Sequence, residues 1–452
     1  YHPDQMILFP PAFKDCLTDG DLVFFIMDVV EQLNLDPIYQ SYHGDQGGKP
    51  AYHPTMMTSL LFYSYCMGVF SSRKIEQATY YQVPFRVLTA NQQPDHDTIA
   101  EFRKRHLTVL SGLFVGVLRM CQKAGLVKLG HVALDGTKIK ANASKHKAMS
   151  YGRMEKKARE LEDEVARLLA EAEAIDTQED AKYGQGKRGD ELPEELRFKE
   201  SRLKKIKEAM TALEEEAKVE AEKQREENRQ KEEELAREGK ARGGKKPQEP
   251  SDKPDEKSQK NFTDPESRIM KDGATKSFEQ CYNCQAVVDE DSQIIVAPQV
   301  TQHANDKKEV EPAVTKMKEN LDGEKPEKLS ADNGYFSEEN VAYLEQEGID
   351  AYLATGRQKH DDPAATLSGG PVPENLTVKE KMTHKLRTEK GRETYKKRKQ
   401  IVEPVFGQIK EVRGFRRFLL RGLAKVSAEW DLICLTHNLL KLFRSGRFPA
   451  TA

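Results

Sequence analysis

The chain is 452 residues long, enough for two or three domains with cores of their own. It is 37% apolar and 32% charged with a net charge of −2, so overall charge singles out no polyanionic partner, and only the distribution of Lys and Arg can. Six scattered Cys, several within apolar runs, exclude a disulfide framework and suit buried thiols. No apolar run reaches the roughly 18–20 residues of a membrane span and no secretory leader is read, so a cytoplasmic location is expected.

Residues 1–20 read as loop. From 21 to about 128 the pattern is helical, about five helices. "DLVFFIMDVVEQL" opens on an Asp cap, Asp21, and "HPTMMTSLLFYSYCMGVF" places Pro54 in a first turn. "PDHDTIAEFRKRHLTVLSGLF" has its cap at Asp97 and then a basic stretch, Arg103, Lys104 and Arg105, which reads equally as a recognition helix or a plain surface helix. At 131 the pattern turns to strand: "HVALDGTKIKA" starts buried and then meets Asp135 and Gly136.

Residues 150–261 differ in composition. Two arms repeat apolar residues at heptad spacing, Ala158, Leu161, Val165 and Leu168 in one, Leu196, Leu203, Ile206, Met210 and Leu213 in the other. Joined by the Gly-rich stretch at 176–193, they predict an antiparallel helical hairpin. The Pro- and Lys-rich segment at 245–260 reads as a disordered linker. Beyond it come strands at 276–289 and 293–301, a helix, a strand at "KLSADNGYFS", a helix, the strand "IDAYLATG", a loop at 363–377 and C-terminal helices around "RGFRRFLLRGL". Without the insertion the order is β-β-β-α-β-α-β-α, that of an α/β, ribonuclease-H-like core; this is an analogy of fold only.

Two strand ends carry acids beside turn residues, Asp135 in "ALDGT" and Asp332 in "SADNGYF". A third acid, Glu403 in "IVEPVFGQIK", lies among apolar neighbours on a helix face expected to be buried. Each has an ordinary reading: a turn former for either Asp, an ion pair with Arg398 or Lys399 for Glu403. Together they also suit divalent metal, which takes carboxylate oxygens and keeps positions open for water and phosphate.

"VALDGTKIKANAS", "LSADNGYFS" and "YKKRKQIVEPVFGQIK" resemble the three acid-bearing motifs of bacterial insertion-sequence DDE transposases. "YHPTMMTSLLFYSYCMGVFSSRKIE", "PDHDTIAEFRKRH" and "RGFRRFLLRGLAKVSAEWDLICLTHNLLKL" resemble that family's flanking helices. The resemblance implies a helical DNA-binding domain at 1–128, a ribonuclease-H-like catalytic domain at 129–149 and 262–452, and a coiled-coil-like insertion with linker at 150–261. It implies Asp135, Asp332 and Glu403 as catalytic, metal-binding acids, with Mg²⁺ as cofactor and Mn²⁺ as a substitute. The family's signature is Tyr, two residues, Arg, three residues, Glu, six residues, Lys. Tyr395, Arg398 and Lys410 fit it, but four residues separate Arg398 from Glu403, and Lys399 takes the helical i−4 place.

Expected DNA contacts are Lys138 and Lys140 beside Asp135, Arg103, Lys104 and Arg105 in the N-terminal part, and Tyr395, Arg398, Lys399, Lys410, Arg413, Arg416 and Arg417 in the basic, aromatic-interleaved C-terminal stretch. The implied partners are double-stranded DNA (terminal inverted repeats and target) and further copies of the chain assembled on it, with no membrane and a nucleoid-associated, cytoplasmic setting. The implied activity is metal-dependent strand cleavage and strand transfer. A catalytically silent, transposase-derived DNA-binding protein is the alternative, and a scaffold dominated by the coiled-coil arms a third reading. Cys281 and Cys284 have zinc-like spacing but no second pair, so no zinc site is read. His303 reads as a loop or cap residue, His437–Asn438 as a packing pair, and Trp430 as core.

Overall fold

In the computed structural model, which describes residues 12–42, 50–183, 194–237, 249–271, 277–356 and 376–448, seven helices precede the first strand. They are α1 (Leu22–Glu31), α2 (Asp36–Gln40), α3 (Pro54–Cys66), α4 (Ser72–Tyr81), α5 (Val83–Leu88), α6 (His96–Arg105) and α7 (Leu107–Lys123). The reading of about five undercounts because α2 and α5, of five and six residues, are too short to show a period. Asp21 caps α1, its side chain accepting from Val23 N at 2.9 Å. Pro54 starts α3, where a missing N–H costs nothing. The cap of α6 is Asp95, whose Oδ1 accepts from Thr98 N at 2.7 Å; Asp97, expected in that role, stands exposed in the first turn. Strand β1 follows, His131–Lys140.

Residues 143–280 form a compact unit of their own. It holds β2 (Ala148–Ser150), α8 (Tyr151–Tyr183), α9 (Glu194–Arg237), β3 (Gln259–Asn261) and β4 (Arg268–Lys271). The two long helices run antiparallel. The Tyr151 hydroxyl donates to Glu214 at 2.6 Å, while Glu162 pairs with Lys207 and Glu164 with Lys199, so partner numbers fall as α8 advances. Met154, Ala158 and Leu161 pack with Ile206 and Leu213, the seam that the heptads foretell. The Gly-rich turn lies partly outside the described residues, at 184–193, as does the linker at 238–248. Residues 249–260, read as disordered, are instead packed. β3 pairs with β2, Tyr151 N donates to Ser258 O, and Asp252 pairs with Arg225 at 2.8 Å. Backbone pairing and an ion pair outweigh the polar, Pro-rich composition there.

The remaining elements join residues 1–142 in the other unit: β5 (Phe278–Asp289) from Cys281 onward, β6 (Ile295–Thr301), α10 (Val310–Asn320), β7 (Lys328–Ala331), α11 (Glu338–Gln346), β8 (Asp350–Leu353), α12 (Val378–Arg387), α13 (Glu389–Gly407) and α14 (Leu423–Ser445). The expected loop at 363–377 falls mostly outside the described residues. In this unit the strands run β6–β5–β1–β7–β8. β1 pairs antiparallel with β5 and parallel with β7, and β7 parallel with β8. This mixed sheet is flanked by α13 beside β1 and β7, and by α14 and α10 beside β6.

α14 is the hub of the core. Its Trp430 is fully buried and donates Nε1–H to Gln285 O at 3.1 Å. Asn438 exchanges two hydrogen bonds with the backbone of Ile295, 2.9 and 2.8 Å, which ties the helix to β6 without leaving its amide unsatisfied. His437 bonds Gln293 O at 2.9 Å. α7 lies against α14, so the N-terminal helices and the sheet share one packed body. Among the described residues no helix is long and apolar enough to cross a membrane.

Candidate active site

The register of β1 on β7 decides where the first two acids go. Leu134 lies beside Ala331, and one residue further each chain carries a carboxylate, Asp135 and Asp332. Asp135 Oδ1 accepts from Gly136 N at 2.8 Å, and Oδ2 accepts from Arg398 Nη1 at 3.0 Å. Burial pushes the Asp135 carboxyl up to about 6; Asp332 adds to the push, while Arg398 and the Gly136 N–H oppose it. Asp332 also serves as a turn former: its Oδ1 accepts from Gly334 N at 2.8 Å and its carbonyl from Tyr335 N at 3.2 Å.

Gly136 has a steric reason to follow Asp135. It pairs with Gln285 of β5, and a Cβ there would lie 2.5 Å from Gln285 Nε2. Gln285 is buried. Its Oε1 accepts from the Tyr335 hydroxyl, and its Nε2 donates to Asp306 Oδ1 at 2.8 Å. Asn283, two residues earlier on the same strand face, donates to the same Asp306 oxygen at 2.6 Å. Burial, then Asp306, Asp135 and Asp332, hold the Tyr335 hydroxyl well above its ordinary pKa, so it stays a donor. Sequence reasoning missed Gln285, Asn283, Asp306 and Tyr335. The legible signal was polar residues at alternate positions of an otherwise apolar strand, "CYNCQAVV".

Helix α13 supplies the third part. Thr388 caps it, accepting from Gly391 N at 3.0 Å. Its buried stripe is Arg398, Ile401, Val402, Val405 and Phe406, which sets the Arg398 guanidinium against Asp135. Burial alone would lower the pKa of Arg398, but Asp135, Tyr395 and Asp332 outweigh it and hold the group above its usual value. The half-buried Tyr395 ring lies 5.8 Å from the guanidinium. Pro404 cannot donate to Gln400 O, and Gln293 Nε2 fills that acceptor at 2.8 Å. A π-helical turn, Gln408–Val412, then carries Lys410 onto β1, with Nζ 3.1 Å from Thr137 Oγ1 and 3.2 Å from Lys138 O.

Glu403 departs from expectation. Its apolar neighbours in sequence predict a buried face, and it is exposed. Five residues beyond Arg398 it points about 140° round the helix from that residue, on the flank of Lys399. Among the described residues no three His, Cys, Asp or Glu side chains group closely enough to hold a metal. Burial and the neighbouring Asp332 raise the proton affinity of Asp135 even with Arg398 in place.

The basic residues divide into two kinds. Arg416 and Arg417 are exposed on a segment laid along the end of β1, where Lys140 N donates to Arg416 O at 3.2 Å and Phe418 N to Lys140 O at 2.9 Å. Glu429 of α14, another residue sequence reading passed over, accepts from Leu419 N and Leu420 N at 3.0–3.1 Å and fixes the end of that segment. Lys138 lies 3.6 Å from Asp306 Oδ1, and Lys104 and Arg105 are exposed. Arg103 and Arg413 correct the sequence reading. Both are buried and spent internally, Arg103 on the Tyr65 hydroxyl, Phe70 O and Ser72, Arg413 on Thr436 Oγ1 at 2.8 Å and Ile433 O at 3.1 Å. Helix packing over them, not phosphate, is what their charge serves. His303 takes the loop role expected of it, with Nδ1 2.7 Å from Glu309.

Comparison with known families meets this geometry at both ends of the chain. Residues 11–105 match the family described as Transposase domain (DUF772), and residues 372–443 match Transposase DDE domain, a segment that takes in α13 with Arg398, Glu403 and Lys410. No curated protein and no solved structure matched the chain. The two transposase domains support a transposase function, and the DDE domain points to an enzyme of the polynucleotidyl-transferase type. The two matches together indicate an insertion-sequence DDE transposase.

Proposed function

We propose that the protein binds the terminal inverted repeats of its element and catalyses metal-dependent cleavage of DNA strands and their transfer to target DNA. The observation that carries this is the β1–β7 register, which sets Asp135 beside Asp332 at the ends of two parallel strands. The strand order β6–β5–β1–β7–β8, antiparallel on one side of β1 and parallel on the other, supports a ribonuclease-H-like reading of the core. In this reading residues 1–128 are the helical DNA-binding part, 129–149 and 262–452 the catalytic part, and 150–261 the insertion.

Asp135 and Asp332 are the proposed metal ligands, for Mg²⁺ or Mn²⁺, and Glu403, exposed on α13, would join them only by turning toward the pair. When bound, the ion would supply positive charge for activating water and stabilising the leaving oxygen. The chain's own residues do the rest. Arg398 balances Asp135 and keeps its carboxylate ionised and oriented. Lys410, anchored on Thr137, holds an ammonium beside β1. Arg416, Arg417, Lys140, Lys138 and Lys399 neutralise phosphates, and Lys104 and Arg105 add to the same role in the N-terminal part. Phosphoryl transfer needs no protein nucleophile, only positioning and charge. Joining two DNA ends calls for more than one copy of the chain on the DNA.

The exposed position of Glu403 favours a second reading, a sequence-specific DNA-binding protein without catalysis. Labelled terminal-repeat DNA with Mg²⁺ or Mn²⁺ separates the two. Nicking by the intact chain, lost in Asp135→Ala, is the expected result; binding with no metal-dependent nicking supports the silent reading instead.

A further inference from the structure

We propose that Gln285 is a positioning residue for the Asp135–Asp332 pair, clamped between the Tyr335 hydroxyl and the Asp306 carboxylate; the inference rests on the metal-binding reading above. Gln285 touches both acid-bearing segments. On one side it closes on Gly136, whose Cβ position lies 2.5 Å from its Nε2, so the backbone next to Asp135 has no slack. On the other its Oε1 takes the hydroxyl of Tyr335, the residue that ends the Asp332 turn. Its own backbone is held from behind by Trp430 Nε1 at 3.1 Å.

Asp306 completes the clamp. Its Oδ1 accepts from Gln285 at 2.8 Å and Asn283 at 2.6 Å, with Lys138 at 3.6 Å. Its Oδ2 lies 3.4 Å from the point where a Gly334 Cβ would stand, and Asp332 Oδ1 lies 2.9 Å from that point. Asp306 therefore abuts the Asp332 turn with one oxygen already engaged by two amides and an ammonium. That oxygen makes Asp306 the anchor of the Gln285 amide. Groups behind a metal-binding carboxylate set its orientation, and their loss typically weakens metal affinity about 10- to 100-fold.

The test measures Mn²⁺ binding to the full-length protein without DNA, by the spin-resonance signal of free Mn²⁺, alongside melting temperature and gel-shift affinity for terminal-repeat DNA. Tyr335→Phe keeps the ring and loses only the hydroxyl. It and Gln285→Ala are expected to weaken Mn²⁺ binding about tenfold with DNA affinity unchanged. Asp306→Asn, which keeps an acceptor oxygen for both amides, should stay near wild type, and Asp306→Ala should not. Wild-type Mn²⁺ affinity in Tyr335→Phe, when Asp135→Asn has lost it, overturns the positioning role alone. A loss in Asp306→Asn as deep as in Asp135→Asn makes Asp306 a ligand and also overturns it. Unchanged binding in Asp135→Asn removes the metal-binding reading and this inference with it.

Discussion

Arg398 of α13 donates to Asp135 Oδ2 of β1 at 3.0 Å, across 263 positions of sequence. Both groups are largely buried, so removing one strands the other's charge. Arg398→Ala is expected to lower unfolding free energy by about 3 kcal/mol. Adding Asp135→Asn to that variant should cost little more, since the two losses share one interaction. Urea titration of the four proteins checks this. Simple additivity of the two single losses would show that the pair is not coupled.

Gly136 is held to glycine by Gln285. Gly136→Ala must displace an amide anchored by Tyr335 and Asp306, at about 1–3 kcal/mol. Combining it with Gln285→Ala should recover part of that loss, because the obstructing side chain is gone. Thermal melts of the single and double variants read the effect; single losses that add in full in the double variant would rule the clash out as the cause.

What was legible in the sequence follows from which signals are local. The strands at 131–141, 276–289 and 293–301 show as apolar runs with turn residues between them, and the seam of α8 and α9 as heptads, because period and composition are properties of a few neighbouring residues. Asp135 and Asp332 stand out for the same reason, as acids at strand ends beside turn residues. The side chains that surround them do not. Asp306, Gln285 and Tyr335 come together only through strand register and a turn, and nothing near Asp306 in sequence announces Gln285. Arg103 and Arg413 were misread because a run of cations looks alike whether it faces water or a core; only the packing of Tyr65, Phe70 and Thr436 around them tells the difference. Glu403 was assigned to the buried face from its apolar neighbours, yet the stripe through Arg398 and Val402 leaves it outside.

The arginines therefore predict opposite phenotypes. Arg416→Ala and Arg417→Ala, on an exposed segment, should leave the melting temperature unchanged and each reduce the salt slope of DNA binding by about 1. Arg413→Ala should do the reverse. It removes the donor to Thr436 Oγ1 inside the core and one of the donors to Ile433 O, and an unfolding loss of about 2–3 kcal/mol is expected with the salt slope intact. Gel shifts at several salt concentrations, paired with melts, distinguish them. A salt slope that falls in Arg413→Ala and holds in Arg416→Ala would reverse the assignment.

Glu429 makes stability depend on pH. Burial pushes its carboxyl from 4.5 up to about 7, while the N–H groups of Leu420 and Leu419 and the Arg103 guanidinium pull the other way. The folded chain thus keeps a proton on Glu429 at pH values where the unfolded chain has released it. Its contribution is whole below about pH 4.5 and is lost as pH rises to and through about 7. A difference of that size corresponds to about 3 kcal/mol. Asp431, also raised to about 7 by burial and opposed by Lys316, adds a decline of the same sign, so the wild-type profile alone cannot assign the effect. The difference between wild type and Glu429→Gln can, because the amide keeps an oxygen for the Leu419 and Leu420 N–H groups and has nothing to titrate. Between pH 5 and 8 the variant is expected to lose about 2.5 kcal/mol less stability than wild type. Parallel curves would mean that Glu429 stays ionised in the fold, with the backbone N–H groups outweighing its burial.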